Sequence, residues 1–301
     1  MRLWSSLVAL CLYAVAAEAS ASVCCGDPAG LGERLGRFEI AAASIGQDLR
    51  YRVGSYDDEG SFAGMPAGDS ELGLRTRAAW TVRVAKPLEI GITLPLITTF
   101  ASKGGTSDQR IGVGDAVFGA RVTLLPVPVY ELWPGVALTT AVVAPLGRPS
   151  WRSESAIGAD VSGQGVPELR FGLVLEEAIE GSWFVLASGT LGLFAASDAG
   201  GREVQRAPRV GVQLVTGPTF EGLAFGAGVE HEREASPSVA GKDGSGGRRQ
   251  TNALATAIVD VGEGLALVPT LRVALPIESL GRAEKADIIS GIALRMGWEA
   301  R

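Results

Sequence analysis

The stretch Ile111–Leu125, IGVGDAVFGARVTLL, alternates between two kinds of side chain. With the period of two that a β-strand imposes, one face is apolar throughout. That face consists of Ala116, Phe118, Ala120, Val122 and Leu124. The opposite face carries an acid, Asp115, and a base, Arg121. Such a strand separates an apolar from a polar environment, and the rest of the chain must show which environments these are.

The same alternation recurs about twelve times between Phe38 and Trp298. It is clearest in Glu71–Ala85, where apolar residues and threonine alternate with a face that holds Arg75, Arg77 and Arg83. It is least regular in 38–54 and 251–261. Repetition at this spacing predicts an all-β protein, a single antiparallel transmembrane β-barrel of about twelve strands.

Composition agrees with a β-structure in contact with lipid. The 301 residues are 47% hydrophobic, with a mean hydropathy of +0.23 and 41 glycines. No uncharged apolar run reaches the roughly 18 residues of a membrane helix. The net charge of -6 comes without a basic stripe, so a nucleic-acid partner is not expected. One histidine and three cysteines leave too few ligands to predict a metal site or a cofactor.

The N-terminus has the features of an export signal. Arg2 supplies the positive charge, Leu3–Ala17 the apolar segment and Ala19-Ser20-Ala21 a small-residue cleavage site. We therefore predict a signal peptide at 1–21, a periplasmic tail at 22–36 and the barrel at 37–301. Export leads to an oxidising compartment, in which Cys24 and Cys25 are candidates for a disulfide.

The connections between the predicted strands alternate in length. Short ones lie around 86–87, 126–134, 178–181, 217–221 and 260–264. Longer ones, rich in glycine, serine and charge, lie around 55–69, 101–110, 148–165, 197–202, 235–249 and 279–285. Outer-membrane barrels combine short periplasmic turns with long extracellular loops. Soluble sandwiches have no reason to sort their loops in this way.

Four tryptophans are predicted to lie near one membrane boundary. With short turns in the periplasm, Trp80, Trp133, Trp183 and Trp298 all fall close to that side. Indole rings favour the boundary between acyl chains and headgroups, so these residues are predicted to form an aromatic girdle.

Charged residues are predicted to line the lumen. An arginine or lysine facing lipid at mid-membrane costs about 2–4 kcal/mol, whereas the interior of a barrel can be polar. The predicted lumen residues are Arg75, Arg77, Arg83, Asp115, Arg121, Glu168, Arg170, Arg209, Glu230, Glu232, Arg272 and Arg295. Opposite charges in this set could line a narrow aqueous path or pair and close it, and the sequence leaves both open.

The opening stretch also contains a recognisable motif. Gly112-Val113-Gly114-Asp115, followed by Phe118-Gly119-Ala120-Arg121, resembles the GxGD strand motif of the outer-membrane proteins grouped with the phenol-degradation meta-pathway proteins, which are similar to FadL-like transporters. The resemblance implies passage of hydrophobic or aromatic small molecules. Its motif positions here are Gly112, Gly114, Asp115 and Gly119. We expect the glycines to permit a close-packed or kinked strand, and Asp115 to point inward and pair with an arginine.

No catalytic site is predicted. The single imidazole, His231, is surrounded by charged residues, and Ser236 and Ser238 follow in a loop without the spacing of a nucleophilic site. The leading hypothesis is an outer-membrane channel or transporter for small, hydrophobic or aromatic molecules, with lipid as its partner and the solute unidentified. One alternative is a structural or adhesive barrel with a closed, side-chain-filled lumen, and another is an exported soluble β-protein.

Overall fold

A computed structural model describes residues 34–127, 133–179, 182–198, 203–236, 238–239, 242–243, 247–262, 264–275, 277 and 280–299. Within these ranges lie a 3₁₀ helix, Ser150–Arg152, and the following strands: β1 Glu39–Tyr56, β2 Phe62–Gly64, β3 Ser70–Ala85, β4 Leu88–Lys103, β5 Thr106–Val113, β6 Ala116–Leu125, β7 Gly135–Ala144, β8 Glu168–Ile179, β9 Trp183–Phe194, β10 Ser197–Asp198, β11 Glu203–Gln205, β12 Arg209–Phe220, β13 Leu223–Glu234, β14 Ser238–Val239, β15 Lys242–Asp243, β16 Arg248–Gly262, β17 Leu265–Ala274 and β18 Glu284–Glu299. In the described part of the chain, no helix is long and apolar enough to cross a membrane.

Twelve of these strands form a closed antiparallel wall, in the order β1, β3, β4, β6, β7, β8, β9, β12, β13, β16, β17, β18. Each strand pairs with the next, and β18 returns to pair with β1 from Glu39↔Glu299 to Tyr56↔Glu284. β2 pairs with the end of β1, and β5 pairs with the far half of β4. The predicted all-β barrel of about twelve strands is confirmed.

The two ends of the barrel differ. The terminal end, where β1 begins and β18 ends, has the short connections 86–87, 126–134, 180–182, 221–222 and 263–264. The opposite, loop end has the connections 57–69, 145–167, 195–208, 235–247 and 275–283. β10, β11, β14 and β15 form a small second sheet within two of these loops.

One predicted loop is wrong. The segment 101–110 is a tight hairpin, because β4 continues to Lys103 and β5 begins at Thr106. Gly104 and Gly105 form the turn with φ of +57° and +80°, a conformation that glycine adopts without steric cost. The glycines that contributed to the prediction of a longer loop therefore form a two-residue turn.

The outer surface of the wall is apolar. Leu94, Phe171 and Leu271, from three separate parts of the barrel, are 45%, 44% and 43% exposed. Thr93, beside Leu94, and Arg170 and Gly172, on either side of Phe171, belong to the opposite face, where Thr93 and Gly172 are buried. An apolar surface that encircles the molecule is suited to lipid acyl chains rather than water.

All four tryptophans of the predicted girdle are exposed, and they lie toward the terminal end. Trp183 begins β9 and Trp133 precedes β7, while Trp298 and Trp80 lie opposite Ala41 and Ala43 of β1. The indole N–H of Trp183 donates to the hydroxyl of Thr216 at 2.6 Å. The predicted girdle requires exposed indole rings toward one end of the barrel.

Part of the interior is apolar, which the sequence reasoning missed. Inward-facing residues of six consecutive wall strands form a buried cluster, Ala137, Val174, Phe184, Leu186, Val215, Ala224 and Ile258. The signal was present in β9, which starts Trp-Phe-Val-Leu and is therefore apolar on both faces. One side of the lumen is thus packed like a protein core, while charge is concentrated elsewhere.

Candidate functional site in the barrel interior

Most of the predicted lumen residues form ion pairs, within one strand or between strands of the wall. The guanidinium groups of Arg77, Arg83 and Arg121 lie 3.0, 2.9 and 3.1 Å from carboxylate oxygens of Asp48, Glu89 and Glu176. Arg170 pairs with Glu168 at 2.9 Å, Arg272 with Glu230 at 3.1 Å, and Arg295 with Glu39. The interior is therefore a network of opposite charges.

Several of these pairs are deeply buried. Glu168 is 1% exposed, Arg295 4%, and Arg121 and Glu176 7% each. A buried charge without a partner is strongly unfavourable, so these residues depend on one another.

Arg209 connects three carboxylates near the loop end. Its guanidinium lies 3.4 Å from Glu232, 3.6 Å from Glu234 and 4.0 Å from Glu168. The ring of Phe194 lies 5.0 Å from the same guanidinium and 4.0 Å from that of Arg206, within cation–π range. These charges border a cavity of about 70 Å³, lined by Glu168, Arg170, Thr190, Gly192, Arg209 and Glu232. This volume holds a few water molecules.

Not every lumen charge is neutralised or enclosed. Arg75 makes no side-chain hydrogen bond or ion pair with any described residue, although it faces inward and Asp48 lies opposite it on β1. The side chains of Arg272 and Glu232 keep 46% and 48% of their surface exposed. Water therefore reaches part of the inner wall.

At the terminal end, residues 34–38 cross the bore. Arg83 donates to the carbonyls of Gly36 and Arg37, both at 2.9 Å, and Arg295 donates to the carbonyl of Arg34 at 3.0 Å. The side chain of Arg34 pairs with Glu176 on β8. β18 and β8 lie six strands apart in both directions around the wall, so this chain of contacts joins opposite walls. The diameter of a twelve-stranded barrel, measured between the backbones of opposite walls, is about 24 Å.

The glycine-aspartate motif forms a break in the wall rather than a regular strand. Thr93 of β4 pairs with Val117 and Leu96 pairs with Val113, so Leu94 and Pro95 face the three residues Gly114, Asp115 and Ala116. This is a β-bulge at a proline, where a missing N–H is tolerated. The N–H of Gly114 donates to the carbonyl of Pro95 at 2.8 Å.

Asp115 holds the long loop 145–167 against this bulge. Its carboxylate accepts the backbone N–H of Gly147 at 2.9 Å and that of Gln164 at 2.7 Å. The prediction that Asp115 pairs with an arginine is therefore wrong. Because the bulge places the carboxylate beside the loop, backbone amides satisfy it instead of a guanidinium.

Two of the motif glycines lie where a side chain would meet close neighbours, and at Gly112 that neighbour belongs to the loop. A Cβ at Gly112 would lie 3.0 Å from the hydroxyl of Ser162 in the loop, and one at Gly114 would lie 2.8 Å from the ring of Pro95. Gly119 pairs with Gly91 and Ala141 farther along β6. The hydroxyl of Ser162 also donates to the carbonyl of Val113 at 2.8 Å. The loop thus docks on the inward side of β5 and β6.

The loop is also organised internally around Asp160. This carboxylate accepts hydrogen bonds from Ser153, from the backbone N–H of Glu154 at 2.8 Å and from Arg148 at 2.9 Å. Burial alone would raise the pKa of Asp160, but these hydrogen bonds outweigh it and hold the pKa far below its usual range. At the far end of the loop, Gln164 donates to Glu168 and accepts from Arg206, which ties the loop to β8.

Cys24, Cys25 and the signal peptide lie outside the described residues. His231 faces outward on β13, and its Nδ1 lies 2.9 Å from the hydroxyl of Thr251. Several interior partners, among them Asp48, Arg34, Glu89 and Gln164, were absent from the predicted set, although Asp48, Arg50 and Arg52 alternate with apolar residues in β1 as the period of two requires.

A closed antiparallel wall with an apolar exterior and a charged interior defines the class of the outer-membrane β-barrels. An outer-membrane channel of Pseudomonas putida F1 has this fold, with a TM-score of 0.72 and 14% identity over 90% of this chain and 99% of that chain. The Pseudomonas putida toluene transporter TodX gives a TM-score of 0.43 at 8% identity over 91% and 93%. The β domain of the Bordetella autotransporter BrkA gives 0.47 at 12% identity over 86% and 100%. No protein-family model and no curated protein sequence matches the chain. The likeness to the first structure establishes a shared fold.

Proposed function

We propose that the protein is a passive outer-membrane channel for small molecules. The observation that carries this proposal is the inward-facing charge that remains open to water, at Arg75, Arg272 and Glu232, inside a closed wall. A barrel with only a structural role can fill its interior with packed side chains. Inward charges that water reaches are expected of a path for solutes.

The path is narrow. At the terminal end the contacts of Arg34 cross the bore, and at the loop end the segment 145–167 docks on the inward side of the wall. A large or fully hydrated solute would have to displace both. This favours small solutes and a low basal conductance.

The interior suits molecules that are partly apolar. Phe184, Leu186 and Ile258 belong to a buried apolar surface, while ion pairs such as Arg83 with Glu89 and Arg121 with Glu176 occupy other parts of the interior. The GxGD resemblance points in the same direction, since that family is associated with hydrophobic and aromatic solutes. The solved structure with a TM-score of 0.72 is also an outer-membrane channel. We therefore propose small hydrophobic or aromatic molecules as the solutes, and no catalytic role.

A second function has one specific observation in its favour. Glu168, Arg121, Glu176 and Arg295 are each less than a tenth exposed, which is also what a closed structural barrel would show. Binding to partners would then depend on the connections at the loop end. Conductance separates the two functions.

The test is the conductance of the purified full-length protein in planar bilayers, compared with that of Arg34→Ala. Substitution of Arg34 removes the contact with Glu176 across the bore, so the channel proposal expects small conductance steps in the wild type and larger ones in the variant. Liposome uptake should favour benzyl alcohol over glucose. A barrel that migrates as folded in both forms and conducts in neither would refute the channel and favour the closed structural barrel.

A further inference from the structure

Three arginines lie side by side at the loop end of the barrel. Arg233 on β13 is directly opposite Arg249 on β16, and Arg249 is directly opposite Arg282, which precedes β18. The backbones of Arg249 and Arg282 exchange hydrogen bonds of 3.1 and 2.8 Å. Directly opposed residues of antiparallel strands project to the same face, with Cβ atoms about 4.5–5.5 Å apart. We call these three residues the arginine row.

The arginine row faces outward. Glu232 and Glu234, the neighbours of Arg233 in sequence, contact Arg209 inside the barrel, so Arg233 must lie on the other face. Arg233 and Arg282 are exposed, and Arg249 is half-buried. The row is therefore part of the outer surface.

In the described part of the chain, no carboxylate pairs with these arginines. Among the described residues, none of the three guanidinium groups makes an ion pair or a side-chain hydrogen bond. The Nε atom of Arg249 is buried without a partner. Like charges directly opposite each other destabilise a sheet. In contrast, the inward-facing Arg77, Arg121 and Arg170 all have carboxylate partners. The row is thus suited to an anion that comes from outside the chain.

The position of the row points to the source of that anion. On the same outward face of β13, toward the terminal end, Val229 and Phe225 are 50% and 45% exposed, and Val210 beside Arg233 is 51% exposed. The row therefore lies at the boundary of the apolar exterior that faces acyl chains. Charged lipid headgroups lie at this level.

We propose that the arginine row binds the phosphate groups of an outer-leaflet lipid. Guanidinium groups bind phosphate through paired, charge-assisted hydrogen bonds. Three adjacent guanidinium groups match a headgroup with two phosphates better than one with a single phosphate. This proposal rests on the location of the barrel in the outer membrane and not on conduction. It can therefore fail while the channel proposal holds, and the reverse.

The test measures binding of diphosphorylated lipid A, of the same lipid after removal of both phosphates, and of inorganic phosphate to the full-length protein in neutral detergent. The row variant is Arg233→Gln with Arg249→Gln. The matched control is Lys103→Gln with Arg152→Gln, which removes two positive charges from exposed residues elsewhere at the loop end. Heat-modifiable gel migration verifies that each barrel is folded.

The wild type should bind lipid A at least about tenfold more tightly than the dephosphorylated lipid. The affinity of the row variant for lipid A should be about tenfold lower than that of the wild type, or lower still. The control should stay within about twofold of the wild type. Unchanged binding by the row variant, or an equal loss in the control, would overturn the proposal. Equal affinity for inorganic phosphate would show that a lipid is not the ligand and would overturn it as well.

Discussion

The substitution Asp115→Asn tests the docking of the loop 145–167. In the wild type the carboxylate accepts two backbone N–H groups, from Gly147 at 2.9 Å and from Gln164 at 2.7 Å. Hydrogen bonds to a charged group contribute about 1.5–3 kcal/mol each. Asparagine has a single acceptor oxygen and no charge. The free energy that favours the docked loop should therefore fall by about 2–3 kcal/mol.

This loss predicts a measurable change in hydrogen exchange. Each 1.4 kcal/mol changes the equilibrium constant between the docked and undocked loop by a factor of ten. The undocked population should therefore rise about 30-fold to 150-fold. If amide exchange in the loop proceeds through undocking, protection at Gly147 and Gln164 should fall by the same factor. Exchange followed by mass spectrometry or NMR in micelles measures it.

A matched control separates docking from a general change in charge. Asp69 accepts the N–H of Gly104 at 2.9 Å at the same end of the barrel but does not hold the loop 145–167. Asp69→Asn should leave exchange at Gly147 and Gln164 unchanged. Full protection of the loop in Asp115→Asn would refute the assignment of Asp115 as its anchor.

Three further predictions follow from the interior, the loop and the outer wall. Glu176→Gln removes the carboxylate that pairs with Arg34 and with the buried Arg121, and it should destabilise the barrel by about 3–5 kcal/mol. This loss should lower the temperature at which the gel mobility changes, whereas the exposed Glu299→Gln should have no effect. Equal midpoints would argue against the buried network. The pKa of Asp160 is lower in the folded than in the unfolded state, so its contribution to stability is complete above the unfolded value of about 3.9 and is lost only as pH falls through the folded value. Exchange protection in the loop should therefore stay constant from pH 7 to about pH 4.5, and a loss within this range would contradict the assignment. Leu94→Arg places a charge on the outer face. If that face meets lipid at mid-membrane, the folded barrel should be destabilised by about 2–4 kcal/mol, so the folding yield in liposomes should drop. A yield equal to that of the wild type would show that Leu94 does not face acyl chains.

The sequence by itself determined the architecture and the two faces of the wall. Side chains of a strand alternate by local geometry, so the separation of Leu72 and Leu74 from Arg75 and Arg77 follows from chain order alone. The alternation of short and long connections likewise indicated a barrel with two different ends. The exceptions were local ambiguities, such as Gly104-Gly105, where the same glycines fit a flexible loop and a tight turn.

Only the tertiary structure decided which residues meet inside the barrel. Arg34 and Glu176 are distant in sequence and contact each other because closing the wall brings β8 opposite β18. Asp115 bonds to loop amides rather than to a guanidinium because a bulge opposite Pro95 turns it toward residues 147 and 164. The arginine row exists because the register of β13 and β16 places Arg233 opposite Arg249. Pairing register and closure are long-range properties, and no local periodicity encodes them.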